Sequence, residues 1–217
     1  MDTNSASLII PQHQFSELTL QAVATFRQTH GSVAEIVVVD DGSRPCRQSL
    51  LQKSRLENLT IVRMPRRKGV TAAWNLGAAA ARGKILVFLN NDTLSEGTWL
   101  ERVQQQLQEP PTKILGPCWR NSSQLGRRLT HQPRFLEGWM LGLTRETFEQ
   151  LGGFDERFTM YFSDTDLQWR ALRRWEASLR VSGPLAIHHA GHASTRHWKQ
   201  RSVEWCQDRN LFLRKWS

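Results

Sequence analysis

The sequence lacks several features that would place it in a common class of proteins. No apolar run approaches the ~20 residues that a membrane-spanning helix needs. The chain has 3 cysteines, far apart and without a Cys-x-x-Cys pair, so we expect them to be reduced and structural. The first residues have neither the basic nor the apolar region of a signal peptide, and we therefore expect a cytoplasmic protein.

Two nucleotide-binding fingerprints are also missing. No G-x-G-x-x-G follows the first predicted strand, and no Walker A loop is present. These absences argue against a dehydrogenase and a P-loop NTPase. A nucleotidyltransferase would usually carry a glycine-rich loop with a basic residue after the first strand, where residues 11–14 here read Pro-Gln-His-Gln.

Acidic residues are in deficit. The chain has 29 Lys and Arg residues against 20 Asp and Glu residues, which gives a formal net charge of +9. Nucleic acid, an anionic membrane surface and an anionic substrate all suit such a charge; we expect no nucleic acid partner. A predicted helix at 202–216 and the residue just before it are rich in basic and aromatic side chains: Arg201, Arg209, Arg214, Lys215, Trp205, Phe212 and Trp216. Its aromatic edge is expected either to pack on the domain or to take part in a peripheral contact with anionic lipid at the inner face of the membrane, or with a partner enzyme.

Short apolar runs alternate with helical patterns along the chain. The predicted strands are 7–11, 35–39, 59–64, 85–89, 114–117, 136–143 and 186–189, and the predicted helices are 16–30, 48–55, 71–81, 99–107, 146–151, 164–175 and 202–216. Ser16 is expected to cap the first helix and Gly83 to end the third. A polar surface loop is expected at 121–133. The alternation predicts an α/β protein with parallel strands and right-handed crossovers, and no linker divides it.

Two of the predicted strands end in acidic clusters. The run 85–89 stops at Asn90, Asn91 and Asp92, and the run 35–39 stops at Asp40 and Asp41. In open α/β sheets, ligands bind outside the carboxyl ends of the strands. A carboxylate there can hold Mg²⁺ or Mn²⁺, and the ion can hold a diphosphate. Both clusters are also good turn sequences, so ordinary turns remain the alternative.

Four motifs, in matching order and spacing, resemble family 2 glycosyltransferases, in particular the rhamnosyltransferase-like members. They are Val37-Val-Val-Asp-Asp-Gly-Ser43, Phe88-Leu-Asn-Asn-Asp92, Gly152-Gly-Phe-Asp-Glu156 followed by Tyr161-Phe-Ser-Asp-Thr-Asp-Leu167, and His188-His-Ala-Gly-His-Ala-Ser194. The resemblance runs from about residue 7 to residue 215. It implies a GT-A fold with a central, mostly parallel sheet flanked by helices. It also implies one domain over 1–217: a nucleotide-sugar half (about 7–95), an acceptor half (about 96–200) and a C-terminal helix (201–217).

The resemblance implies an inverting transfer from a nucleoside diphosphate sugar. Pro11, Asp40, Asp41, Gly69 and Asn91 would bind the nucleotide. Asp40 or Asp41 can accept a hydrogen bond from a uracil or thymine N3–H, or hold the ribose, and the donor is expected to be a UDP- or dTDP-sugar. The acceptor would be a glycan, a lipid-linked saccharide or a protein side chain.

A divalent cation is expected beside the donor. Asp92 and His189 would hold it, and the imidazole favours Mn²⁺ over Mg²⁺. Only one residue of the pair His188 and His189 can face the site, because side chains alternate along a strand.

The acceptor side is expected to contain the catalytic base. The resemblance assigns Asp164 to deprotonate the acceptor hydroxyl and Asp166 to hold its loop, with a role as a helix N-cap as the alternative for Asp164. Glu137, Gly138 and Trp139 are expected to line or support this side, where the glycine would allow a ligand to approach closely.

Among the departures from the family pattern, two remove acidic residues. Asn90 replaces the first carboxylate of the metal-binding motif, and Ser163 replaces an acidic neighbour of the expected base. The alternative to an enzyme is therefore a catalytically degenerate protein of the same fold that binds a nucleotide sugar or a polyanion.

Overall fold

In the computed structural model of the protein, residues 5–45, 47, 59–120, 134–176, 178–191 and 199–216 are described. The predicted helix at 48–55 and the predicted surface loop at 121–133 lie outside these residues, as does the end of the last motif after Gly191.

The described residues form nine strands in two sheets. The strands are β1 (Ala6–Gln12), β2 (Glu35–Asp41), β3 (Leu59–Met64), β4 (Ile85–Leu89), β5 (Thr93–Ser95), β6 (Ile114–Gly116), β7 (Met140–Thr144), β8 (Leu179–Val181) and β9 (Ile187–His189). Seven of them form one sheet in the order β3-β2-β1-β4-β7-β6-β8, and β5 pairs with β9. Strands β1 to β4 are parallel, as predicted, and β7 is antiparallel to both β4 and β6. The expected mostly parallel sheet is confirmed.

Six helices with bounds in the described part of the chain accompany the sheets. They are α1 (Ser16–His30), α2 (Val70–Ala80), α3 (Leu100–Gln108), α4 (Arg145–Gln150), α5 (Ser163–Arg174) and α6 (Arg201–Trp216). Neighbouring residues of the central strands face opposite sides, so Ile9 and Val37 pack in the cluster that contains residues of α2, whereas Leu8 and Val38 pack in the cluster that contains residues of α1. Burial on both faces explains why these strands are continuous apolar runs.

Three local predictions were wrong. Strand β7 begins at Met140, not at 136, because Leu136 instead pairs with Trp119 in an isolated bridge. Ser16 does not cap α1: it is the first helical residue, and its hydroxyl donates to the Arg47 carbonyl. Gly83 does not end α2, which stops at Ala80.

Gly83 is required by close packing instead. A Cβ there would lie 2.7 Å from the Ser7 backbone nitrogen, and the Gly83 N–H donates to Ser7 Oγ at 2.8 Å. The glycine therefore lets the segment before β4 approach β1.

The aromatic edge of α6 packs on the domain. Phe212 is fully buried in a cluster with Phe135, Phe158 and Phe162, and Trp205 and Trp216 pack against that cluster. Within the described ranges, no helix combines the length and the apolar content that crossing a membrane would require.

Candidate active site

One cavity collects most of the predicted site residues. It has a volume of about 540 Å³ and opens at the carboxyl ends of β1, β2 and β4. The predicted residues that line it are Pro11, Asp41, Asn91, Asp92, Glu137, Gly138, Trp139, Asp164 and His189. Asp40, Gly69 and Asp166 do not line it.

Asp92 and His189 are brought together by strand pairing. Thr93 in β5 lies opposite His189 in β9, and the Ala190 N–H donates to the Asp92 carbonyl at 2.9 Å. As a result, His189 Nε2 is 3.2 Å from Asp92 Oδ1. The Asn90 amide nitrogen lies 3.4 Å from the same ring nitrogen. His188 is exposed, so His189 is the member of the pair that faces the cavity.

The chemistry of this pair fits a divalent ion. Carboxylate oxygen and imidazole nitrogen are both donors that Mn²⁺ accepts. The part of the chain that the structure describes contains no group of three or more His, Cys, Asp and Glu side chains able to hold a metal. An ion held by Asp92 and His189 would therefore need further ligands from phosphate or water, as is usual for ions that bind substrate phosphates.

Trp139 orders the same wall of the cavity. Its ring stacks on the His189 imidazole with centroids 4.9 Å apart, and its indole N–H donates to Glu137 Oε2 at 2.9 Å. The imidazole therefore contacts Asp92 through Nε2 and the Trp139 ring through one face, and these two contacts fix its orientation.

Asp40 is fully buried behind the cavity. Its carboxylate accepts hydrogen bonds from the Gln12 side chain (2.6 Å), the Ser43 N–H (3.1 Å) and the Arg63 guanidinium (2.8 Å). These bonds join the ends of β1, β2 and β3, so Asp40 supports the floor of the site.

Asp41 faces the cavity and holds the loop after β3. Its two oxygens accept from the Lys68 N–H at 2.6 Å and the Gly69 N–H at 2.8 Å. Gly69 has a φ of +100°, and a Cβ there would collide with the Thr159 carbonyl oxygen. Gly69 thus supports Asp41 through its backbone and lets the two sides of the site meet.

Asn91 is directed towards α1. Its side-chain N–H donates to Thr19 Oγ1 at 3.1 Å, although the residue also lines the cavity. This bond connects the loop after β4 to α1.

Asp164 lies in the first turn of α5 and lines the cavity. The N-cap position belongs to Phe162, so the alternative role of Asp164 as N-cap is wrong. Arg120 forms an ion pair with Asp164 Oδ2 and also donates to Thr165 Oγ1 at 2.8 Å. A Cβ on Gly138 would collide with the Asp164 carboxylate, so the glycine is needed for this packing.

Asp166 is fully buried and is directed towards α6. Its carboxylate accepts from Arg170 Nε (2.9 Å), Lys215 Nζ (2.6 Å) and the Trp216 indole N–H (2.9 Å). Asp155 also binds Lys215, at 2.8 Å. Hydrogen bonds from Arg157, and to a lesser extent from Lys215, hold the pKa of Asp155 well below its usual range.

Sequence reasoning missed several residues of the cavity. Arg67, Arg120, Arg201 and Trp205 all line it. The sequence assigns Arg201 and Trp205 only to the basic, aromatic C-terminal helix, and in a chain with 29 Lys and Arg residues nothing marks Arg120 out. Arg67 is paired with Glu204 of α6 at 3.1 Å, a contact between residues far apart in the sequence.

Comparison with known proteins identifies a family. The model of glycosyl transferase family 2 matches residues 7–169. The O-antigen biosynthesis protein RfbC of Myxococcus xanthus is 26% identical over 222 residues, which cover 86% of this chain and 17% of that protein. The N-acetylglucosaminyl-diphospho-decaprenol L-rhamnosyltransferase of Mycobacterium tuberculosis (strain CDC 1551 / Oshkosh) is 36% identical over 91 residues, which cover 38% of this chain and 29% of that enzyme. The aligned part of the chain thus corresponds to less than a third of the length of either relative.

Solved structures agree on the fold. The mannosyltransferase PcManGT from Pyrobaculum calidifontis, in complex with GDP-Man and Mn²⁺, superposes with a TM-score of 0.61 at 19% identity, covering 83% of this chain and 54% of that one. The crystal structure of GalNAc-T7 with UDP, GalNAc and Mn²⁺ gives 0.69 at 17% identity, covering 85% and 43%. At these identities the similarity concerns the fold, and it confirms the expected GT-A fold.

Proposed function

The chain belongs to glycosyl transferase family 2, and on that basis we propose that it transfers a sugar, with inversion, from a UDP- or dTDP-sugar to an acceptor hydroxyl. The observation that carries this proposal is the convergence of three carboxylates on one cavity: Asp41, Asp92 and Asp164. They come from distant parts of the sequence and offer the three functions that the reaction needs: nucleotide binding, metal binding and proton removal.

The donor binds on the side formed by β1, β2 and β4. Pro11, Asp41 and Asn91 contact the nucleotide. Asp40 and Gly69 do not line the cavity and instead hold in place the loops that surround the nucleotide. A pyrimidine is preferred because the Asp41 carboxylate faces the cavity and can accept a hydrogen bond from an N3–H. One structural neighbour contains a guanine nucleotide and the other a uracil nucleotide. Binding of different nucleoside diphosphates therefore has to be compared to identify the nucleobase.

Asp92 and His189 would hold a divalent cation, Mn²⁺ in preference to Mg²⁺. When bound, such an ion neutralises charge on the leaving diphosphate. Trp139 orients His189 for this purpose, and the structures of both neighbours contain Mn²⁺.

Asp164 is the base of the proposed reaction. The acceptor hydroxyl oxygen attacks the anomeric carbon from the side opposite the diphosphate, the bond to the diphosphate breaks, and the hydroxyl proton passes to Asp164. Arg120 holds the carboxylate in place through Oδ2. Glu137, Gly138 and Trp139 form the neighbouring acceptor wall.

The acceptor is a glycan, a lipid-linked saccharide or a protein side chain. With either of the first two acceptors, the enzyme would act in polysaccharide synthesis. The relatives support this class: one is an O-antigen biosynthesis protein and another is named for a diphospho-decaprenol acceptor. A single domain carries out the reaction, with the donor half at about 7–95 and the acceptor half at about 96–200.

A lipid-linked acceptor would place the protein at the inner face of the membrane. The aromatic side chains of α6 are occupied within the domain, so a peripheral contact would depend on exposed basic residues such as Arg214. Flotation with anionic vesicles at low and high salt tests the proposed membrane contact. Absence of salt-sensitive binding would contradict that contact.

The decisive experiment is a thermal-shift panel of nucleoside diphosphates and nucleotide sugars with and without Mn²⁺, followed by donor turnover. Metal-dependent stabilisation together with turnover supports the enzyme. Stabilisation without turnover on any acceptor would favour the degenerate binding protein, for which Asn90 and Ser163 are the specific observations.

A further inference from the structure

Helix α6 forms part of the cavity although it lies beyond residue 169, where the match to the family model ends. Arg201 and Trp205, on its first two turns, line the cavity. One turn further along, Asp208 is buried, with 3% of its surface exposed. Burial of a carboxylate destabilises the folded state unless the carboxylate is well hydrogen-bonded.

The partners of Asp208 are three consecutive backbone amides and the Thr159 hydroxyl, which donates to Oδ2 at 3.4 Å. The carboxylate accepts from the Thr159 N–H at 3.2 Å, the Met160 N–H at 2.9 Å and the Tyr161 N–H at 2.9 Å. Successive amides that converge in this way form a concave anion-binding nest. The contacts join α6 to a loop 47 to 49 residues earlier in the sequence. They therefore form only when the two elements pack together.

This loop leads directly into α5, whose N-cap is Phe162. Met160, Tyr161 and Phe162 line the cavity, and Phe162 adopts a left-handed conformation with a φ of +63°. Left-handed backbone is unfavourable for a residue with a Cβ and persists only where its surroundings enforce it. The Phe162 ring packs on Trp205 of α6 with centroids 5.9 Å apart. Asp164 follows two residues later.

We propose that Asp208 is a positioning residue for glycosyl transfer. By binding the three amides of the loop, it fixes the start of α5 and thus the position of Asp164 on the acceptor side of the cavity. This inference rests on the proposed function, because it takes Asp164 as the base. Asp208 itself does not line the cavity and contacts no substrate.

The test is the variant Asp208→Asn. An asparagine offers one acceptor oxygen in place of two, and its NH₂ group would face N–H donors. We expect hydrogen exchange at the amides of residues 159–161 to accelerate. We also expect kcat for transfer to fall by about 10²-fold, the typical cost of a misplacement of about 1 Å, with the donor KM and the thermal shift by UDP unchanged. Asp208→Glu, which keeps the carboxylate, should recover part of kcat.

Lys215→Met is the matched control. It removes the ion pairs of α6 with Asp155 and Asp166 at the other end of the helix and leaves the loop amides untouched. It should lower Tm without the fall in kcat, measured well below Tm. If Asp208→Asn does not fold, Asp208→Glu carries the test, and it should then show a reduced kcat at an unchanged donor KM.

Two failures can be told apart. An active wild type whose Asp208 variants keep normal kcat and normal exchange at 159–161 would overturn the positioning role alone. A wild type with neither nucleotide binding nor transfer would overturn the proposed function, and the positioning role with it.

Discussion

His189 Nε2 lies 3.2 Å from Asp92 Oδ1, at the point where β9 pairs with β5. Two residues almost a hundred positions apart thus offer a nitrogen and an oxygen donor to the same side of the cavity. If they share an ion, His189→Ala should weaken Mn²⁺ binding by at least about 10–100-fold, the loss typical of changes around metal ligands. Calorimetric titration of Mn²⁺ measures the effect.

The neighbouring His188→Ala is the control, because His188 is exposed and does not line the cavity. Chelation should abolish transfer, and Mn²⁺ should restore it better than Mg²⁺. Full activity in the presence of EDTA, or equal Mn²⁺ binding by both histidine variants, would contradict a metal held by this pair.

Asp41 provides a test of nucleotide binding. UDP or dTDP at a hundredfold excess over Kd should stabilise the wild type by about 2.7 kcal/mol, or roughly 5–10 °C in Tm for a protein of this size. Asp41→Ala should abolish this shift, because it removes a carboxylate from the cavity and releases the Lys68 and Gly69 amides. Equal shifts with GDP and ADP would argue against a pyrimidine pocket.

His30 predicts how stability changes with pH. Its Nε2 accepts from the Trp99 N–H at 2.8 Å and the Leu100 N–H at 3.3 Å, so this nitrogen carries no proton. The protonated Nδ1 lies 2.7 Å from Thr29 Oγ1 and 3.3 Å from the Phe26 carbonyl oxygen, both of which can accept from it. Burial lowers the pKa of His30, although the Phe26 carbonyl and the charge of Glu101 oppose the shift.

A lowered folded-state pKa means that the unfolded chain binds the proton more readily below about pH 6.5. The contribution of His30 to stability is therefore complete above that pH and is lost as the pH falls towards the folded-state pKa. Urea denaturation at several pH values should show less loss of stability on acidification for His30→Gln, which keeps an acceptor but does not titrate. Parallel curves for the two proteins would contradict the role of His30.

The central fold was predictable because its strands are buried on both faces. The continuous apolar runs placed β4 at its observed bounds and β1 and β2 within two residues. The edge strand β3 is mostly half-buried and contains Thr60 and Arg63, and its bounds were nevertheless predicted. Strands β5 (Thr-Leu-Ser) and β8 (Leu-Arg-Val) have three residues each and no two adjacent apolar side chains, so they produce no recognisable apolar run. For the same reason, the pairing that joins Asp92 to His189 could be expected only from the family resemblance.

The site was predictable in its acidic residues but not in their partners. Asp40 and Asp41 are consecutive on β2, so their side chains point to opposite faces, and the sequence does not say which one meets the cavity. Arg120 and Asp208 act through contacts with residues more than 40 positions away. Such contacts depend on how elements pack, which local patterns do not encode.

Asp164 and Asp166 separate the chemical role from the structural one. Asp164→Asn should lower turnover by roughly 10²–10⁴-fold, the usual contribution of a general base, while donor binding stays nearly unchanged. Its Tm should fall less than that of Asp166→Asn, because Asp164 loses one ion-pair partner and Asp166 loses two. Asp166→Asn should do the opposite: it leaves Arg170 and Lys215 without their shared carboxylate and should cost about 3 kcal/mol of stability, the lower end for a broken buried ion pair. Turnover and Tm measured on both variants decide the matter. Loss of transfer in Asp166→Asn alone would exchange the two roles, and normal transfer in both would place the base elsewhere.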